Sequence, residues 1–162
     1  MQTVYTYQQW IECFRRLEEK PWEQSVLDSV VCATYQGKPS DMFLVRLSDT
    51  VSKMLSVCTR WFLREVDRLL SENEIDMTTF LAKRFQKRIN GCFFYRNMDF
   101  LPAAYIRTLD EGFVNQVEAF WKDFLRQLDT SARESMNPEV EDMAYELRRI
   151  KIISFRGQYA VV

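Results

Sequence analysis

The sequence predicts a mainly α-helical protein, with residues 1–162 forming one domain as a bundle of five to six helices. Apolar residues recur at three- and four-residue steps along most of the chain, which is typical of amphipathic helices. Only four glycines and four prolines occur, so the chain has little material for many short turns. Apolar residues make up 47% and charged residues 28%, which argues against disorder.

The central helix is predicted over residues 111–129. Seven apolar residues there share one face, while the charged residues fall on the other. The seven are Phe113, Val117, Phe120, Trp121, Phe124, Leu125 and Leu128. Each large side chain buried there would contribute about 2–3 kcal/mol, so we expect the bundle to form around this ridge. Asp110 is predicted to cap the helix, and residues 131–136 to form the loop after it.

Three earlier segments also have helical patterns. The first helix is predicted from residue 6 or 7 to residue 19, and the second from Pro21 to a Gly-Lys-Pro stop at residues 37–39. Residues 41–71 have a near-heptad apolar pattern and form either one long helix or two helices divided by a cap at residues 48–50. An unbroken helix would favour packing along a partner helix, including one from a second subunit.

The second half of the chain begins with a predicted linker at residues 72–76. A fourth helix follows and ends at Asn90-Gly91, and residues 92–95 then form either a short strand or a tight helical turn. Asn137 and Pro138 predict the start of the last helix. The β-branched and aromatic residues of the tail, 151–162, allow a small C-terminal hairpin.

The chemistry of the sequence excludes several kinds of site. With no histidine, the chain has no Ser-His or Cys-His pair and no histidine metal ligand. We predict no cofactor and no metal, and favour a non-catalytic protein over an enzyme. The acidic residues of the last helix are expected to form a solvated face, with a carboxylate site as the alternative. These residues are Glu139, Glu141, Asp142 and Glu146.

The four cysteines, Cys13, Cys32, Cys58 and Cys92, form no C-x-x-C motif. They are predicted to be small buried apolar residues in a reducing cytosol, with a disulfide or a reactive thiol as the alternative. Cys58 and Arg64 have the spacing of a tyrosine-phosphatase loop, but the residues between them lack glycine and continue a helical pattern. No secretory leader and no bilayer-spanning run is visible, so we expect a cytoplasmic protein.

Charge is unevenly distributed along the chain, although the net charge is only −1. Residues 83–107 contain six basic residues against one acid, and residues 111–146 contain three basic against nine acidic. The candidate contact residues are Lys83, Arg84, Lys87, Arg88 and Arg96.

These charges have three interpretations. In the first, the basic fourth helix lies near the acidic later segments, or each charged face is solvated. In the second, the basic region binds nucleic acid, with bases stacked on Phe93, Phe94, Tyr95 and Phe100. In the third, the charges meet a protein partner or the acidic stripe of a second copy of the chain.

Three functional hypotheses follow from these patterns. The first is a non-catalytic interaction or regulatory module that acts through protein–protein contacts, with a homodimer as one form. The alternative is a nucleic-acid-binding regulator that uses the basic and aromatic region 83–107. The third is an enzyme with a carboxylate or cysteine site, such as Glu146 or Cys58.

Overall fold

The computed structural model describes residues 2–153, which form six α-helices and one pair of short parallel strands. The mainly α-helical fold class is therefore confirmed. The helices are α1 (Tyr7–Glu19), α2 (Gln24–Val31), α3 (Asp41–Ser71), α4 (Thr78–Gly91), α5 (Ala103–Ser135) and α6 (Pro138–Arg148). The strands are β1 (Thr3–Tyr5) and β2 (Ala33–Tyr35), and two 3₁₀ turns span Ile75–Met77 and Phe94–Asn97.

The predicted aromatic ridge lies in the core. Five of its seven residues are buried, and Phe120 and Leu125 pack against the core from partly buried positions. Phe62 of α3 stacks on Phe85 of α4 with ring centroids 4.3 Å apart, and it meets the ring of Phe124 at 5.0 Å. The central helix therefore holds α3 and α4 together through aromatic contacts.

The boundaries predicted for the central helix are wrong at both ends. Helix α5 begins after Pro102, so Asp110 lies inside it, fully buried, and does not cap it. The helix also continues through the predicted loop to Ser135 and ends at Met136, which has a left-handed φ of 52°. Ala132 is buried, so the apolar stripe extends one turn beyond the predicted end.

Helix α3 is one unbroken helix of 31 residues, which settles the choice left open by the sequence. Thr50 does not cap a new helix, because its hydroxyl donates a hydrogen bond to Glu18 of α1 at 2.8 Å. Residues along the apolar seam, including Leu47, Met54 and Phe62, are buried within the chain. The seam thus packs on helices of its own chain, and it no longer supports a homodimer.

Helix α2 is shorter than predicted at both ends, because it begins at Gln24 and not at Pro21 and because the residues after it join a small sheet. Residues 33–35 pair in parallel with residues 3–5, in the register Thr3 with Ala33 and Tyr5 with Tyr35. Residues 92–95 belong to a tight helical turn and not to a strand, and Phe94 and Tyr95 in it are buried.

The remaining segments match the predicted pattern where the structure describes them. The predicted linker is a short turn in which Asn73 has a φ of 58°, followed by the first 3₁₀ turn. Asn137 caps α6 by accepting a hydrogen bond from the Glu139 amide at 3.0 Å. The predicted hairpin falls largely on residues 154–162, which lie outside the described residues. Within residues 2–153, no helix has the length and apolar composition needed to cross a membrane.

Candidate functional site

Helix α4 carries four of the five candidate residues on its outward side. Lys83, Arg84 and Lys87 are exposed, and Arg88 is half-buried. The opposite side of the helix is apolar and packs into the core. The four cations therefore lie on one face because the amphipathic pattern of α4 turns its apolar residues inward.

Arg96 lies apart from this face and interacts within the fold. Its Nε donates a hydrogen bond to Asp110 Oδ2 at 2.7 Å, and the hydroxyl of Tyr95 donates to Oδ1 of the same carboxylate. The Asp110 side chain is completely buried, and that of Arg96 is 17% exposed. Burial and the bond to Asp110 raise the pKa of Tyr95 well above its usual value. This cluster joins the second 3₁₀ turn to α5.

The four cations of α4 have no acidic partner among residues 2–153. Ion pairs occur elsewhere, for example between Arg148 and Asp129 at 3.1 Å and between Arg46 and Glu18 at 2.9 Å. In that part of the chain, no carboxylate oxygen lies within 4.0 Å of a side-chain nitrogen of any of the four. The basic and acidic regions of the sequence are therefore not paired with each other across α4 and α6.

Arg88 packs into the corner formed by two tryptophan rings, whose centres are 5.9 Å apart and whose planes are inclined at 47°. Its guanidinium carbon lies 3.8 Å from the ring centre of Trp22 and 4.1 Å from that of Trp61. Burial lowers the pKa of Arg88, and the neighbouring cation Arg84 lowers it further. Its Nη1 atom is buried and finds no hydrogen-bond acceptor within the described chain. The charge is thus partly desolvated and is stabilised by the ring faces and by the more distant Glu65, without an ion pair in the described chain.

Two grooves flank the outward side of α4. The first, which we call the Arg88 groove, has a volume of about 650 Å³ and runs between α2, α4 and the second 3₁₀ turn. Arg84, Lys87 and Arg88 line it together with Trp22 and Leu27.

The second groove, which we call the Phe80 groove, has a volume of about 550 Å³ and lies between α3 and α4. Its lining is apolar at Trp61, Leu69, Met77, Phe80 and Leu81 and charged at Glu65, Arg68 and Arg84, and Phe80 is 69% exposed. Arg84 borders both grooves, so the apolar and basic surfaces are continuous.

The acidic face of α6 does not assemble a metal site in the described residues. Glu139, Asp142 and Glu146 are exposed and line a shallow groove of about 270 Å³ with Asp76. Across residues 2–153, no group of three or more potential ligands is placed to hold a metal ion.

The cysteines differ in exposure, and all four are free. Cys58 and Cys92 are buried with their sulfur atoms 3.9 Å apart, and Cys13 is half-buried. Cys32 is exposed, so the prediction of a buried residue is wrong there, because α2 ends just before it and turns it outward. Residues 58–64 form part of α3, so their backbone amides cannot surround a phosphate as a phosphatase loop does.

No protein-family model, no curated protein and no solved structure matches this chain. The candidate surface therefore has to be interpreted from its own geometry. Sequence reasoning identified the cations of α4 from their number, but it missed Trp22, Trp61 and Phe80 as parts of the same surface. Their apolar character predicts burial, and only the packing of α2, α3 and α4 shows that they border grooves.

Proposed function

We propose that this protein is a non-catalytic interaction module that binds an acidic segment of a partner protein on the outward side of α4. The observation that supports this most directly is the lack of an internal counterion for Lys83, Arg84 and Lys87 in the described chain. Cations that are not neutralised internally can attract and orient an acidic partner.

The Phe80 groove adds an apolar element to this surface. Phe80 and Met77 are 69% and 45% exposed and line the same groove, so they form an apolar patch and are not isolated exposed side chains. They lie beside Arg84, so a partner segment with an aromatic or aliphatic anchor and nearby carboxylates would complement both parts. Apolar anchors supply most of the affinity in such interfaces, while charges supply orientation and association rate.

Nucleic-acid binding receives less support from the same region. Three of the four rings expected to stack on bases, Phe93, Phe94 and Tyr95, are buried in the core. Arg96 is engaged with Asp110. Single-strand binding depends on exposed rings beside the cations, and these residues do not supply such rings. A cytoplasmic setting belongs to the same proposal and is supported by the four free thiols.

A peptide-display selection tests the proposal directly, because it requires no chosen partner. A random peptide library is selected on the purified protein, and enriched peptides are measured by fluorescence anisotropy. We expect peptides with net negative charge and one or two large apolar residues, because they match the cations and the Phe80 groove. Their binding should weaken about tenfold or more in Arg84→Glu/Lys87→Glu, since like charges then face each other.

The matched control is Arg107→Glu/Arg133→Glu, which changes the net charge equally on exposed positions of α5. This control should bind the same peptides as the original chain. Enrichment of neutral or basic peptides, or an equal loss of binding in both double variants, would contradict the proposal. Salt-sensitive binding of a mixed RNA or DNA pool that is lost only in Arg84→Glu/Lys87→Glu would favour the nucleic-acid alternative.

A further inference from the structure

In the Arg88 groove the guanidinium of Arg88 lies inside a cleft, whereas Lys83 and Lys87 on the outer face of α4 are exposed. Trp22 and Trp61 both contact the Arg88 guanidinium, but their ring centres are only 5.9 Å apart, so they meet at an angle beside it and do not cover opposite faces. Arg88 lines the groove, and Lys87 and Arg84 border it as well. A flat partner surface can contact the exposed lysines, but a half-buried guanidinium that lines a cleft suits a ligand that enters the groove.

The guanidinium carries an electrostatic cost that an anion would relieve. Its Nη1 atom is buried and lacks an acceptor in the described chain, and the favourable carboxylate there, Glu65, acts on Arg88 from beyond the 4.0 Å of an ion pair. Cations that are partly removed from water are normally paired, because desolvation of an unpaired charge is unfavourable. Ring faces offset this only in part, since they offer no hydrogen-bond acceptor. An oxyanion that meets the groove side of Arg88 would supply the missing counter-charge.

We propose that the Arg88 groove binds a small organic oxyanion, a carboxylate or a phosphate monoester, whose flat apolar body lies against Trp22, Leu27 and Val31. The oxyanion pairs with Arg88 and Lys87, because a planar guanidinium presents parallel N–H donors to two oxygens. The groove volume of about 650 Å³ falls in the range of small-molecule sites. This site goes beyond the proposed protein-binding surface, because it uses the cleft between α2 and α4.

One acidic residue of the groove determines which way the ligand lies. Asp28 of α2 also lines the cleft, and it accepts a hydrogen bond from Gln24 at 2.8 Å. A carboxylate on the α2 wall repels an anion, whereas the cations on the α4 wall attract it. The anionic end of the ligand therefore lies towards α4.

Binding can be measured with four simple probes. Phenyl phosphate and benzoate carry a ring and an oxyanion, inorganic phosphate carries only the oxyanion, and benzyl alcohol carries only the ring. Tryptophan fluorescence is the readout, because two of the four tryptophans flank Arg88. We expect saturable quenching by phenyl phosphate or benzoate, and whichever of the two binds more tightly identifies the anionic group. Binding of the other two probes should be about tenfold weaker or more.

Variants separate the role of Arg88 from a general effect of charge. Arg88→Met and Arg88→Lys should each weaken binding of the better probe about tenfold or more, because lysine keeps the charge but loses the planar pair of donors. Arg107→Met removes an exposed cation of α5 and should leave binding unchanged. A second measurement needs no variant: the Arg88 Nε–Hε NMR signal of the original chain should shift on addition of that probe.

Four results would overturn the proposal. They are the absence of saturable binding by either ring-bearing oxyanion, equal binding of benzyl alcohol, equal binding of inorganic phosphate, and an unchanged Arg88 signal. The outcome is independent of the peptide selection, since the probes contain no peptide and Arg84→Glu/Lys87→Glu is not used.

Discussion

Arg88 and Arg96 are eight positions apart in the sequence and occupy very different electrostatic surroundings. Arg96 pairs with the fully buried carboxylate of Asp110 at 2.7 Å. Arg88 packs against two tryptophan rings and makes no ion pair within residues 2–153. One arginine therefore contributes its charge to the stability of the fold, while the other is the cation that we propose pairs with a ligand. The contrast shows that the counterion, and not the cation, decides which role an arginine has.

The two sites also differ in how strongly the fold depends on them. Asp110 would be an isolated buried anion without Arg96 and Tyr95, and such a group costs several kcal/mol. Arg88 lines a groove, and its direct contacts are with ring faces, whose attraction is worth about 0.5–2 kcal/mol. Substitutions at the two arginines should therefore have clearly different effects on the free energy of unfolding.

The largest effect is expected for Arg96→Met. This change leaves the Asp110 carboxylate buried without its cation, so the free energy of unfolding should fall by about 3–5 kcal/mol. Urea denaturation followed by circular dichroism measures the change. The double variant Arg96→Met/Asp110→Leu should recover part of the lost stability, because it also removes the Asp110 carboxylate that would otherwise be buried without its cation.

Arg107→Met serves as the matched control, since Arg107 is exposed on α5 and the loss of a solvated charge should change stability by less than about 0.5 kcal/mol. If Arg96→Met is as stable as this control, then the pair contributes nothing and the contrast between the two arginines disappears.

An intermediate effect is expected for Tyr95→Phe. It removes the hydroxyl that donates to Asp110, and loss of a bond to a buried charged acceptor costs about 1–3 kcal/mol. The pH dependence gives a second signature. The raised pKa of Tyr95 means that its contribution is fully present below the ordinary tyrosine value of 10.0 and is lost as pH rises above it.

The stability of the original chain should therefore fall more steeply above pH 10 than that of Tyr95→Phe. Tyr105, whose pKa burial raises to about 12, contributes equally to both proteins and cancels in the comparison. Parallel curves for the two proteins would show that Tyr95 does not retain its proton in the folded state.

Sequence patterns predicted the helices well because a single face of each one is apolar over several turns. They failed at Asp110, since a polar residue before an apolar run is normally a cap, and only the position of Tyr95 and Arg96 shows that it is buried. They also failed at β1 and β2, where three-residue strands from distant parts of the chain pair in parallel. Each failure involves contacts between residues far apart in sequence, which periodicity does not report.

The candidate site was only partly predictable for the same reason. The cations of α4 are visible as a cluster in the sequence, but Trp22 comes from the turn before α2 and Trp61 from α3. Nothing in the sequence distinguishes these tryptophans from core residues, and Trp10, which is completely buried, has a similar local pattern. Charge composition thus predicts where a surface is basic, while packing decides which of its cations remains available.

Of the substitutions at the two arginine sites, Arg88→Met is expected to have the smallest effect on folding. The substitution loses the attraction between the guanidinium and the two rings, but it also removes a partly desolvated charge and keeps an apolar side chain against Trp22 and Trp61. These changes oppose each other, so the free energy of unfolding should change by about 1 kcal/mol or less. The same urea denaturation measures this value beside Arg96→Met. A decrease in the free energy of unfolding as large as that of Arg96→Met would mean that Arg88 is needed for the fold. Its charge would then not be available to pair with a ligand in the groove.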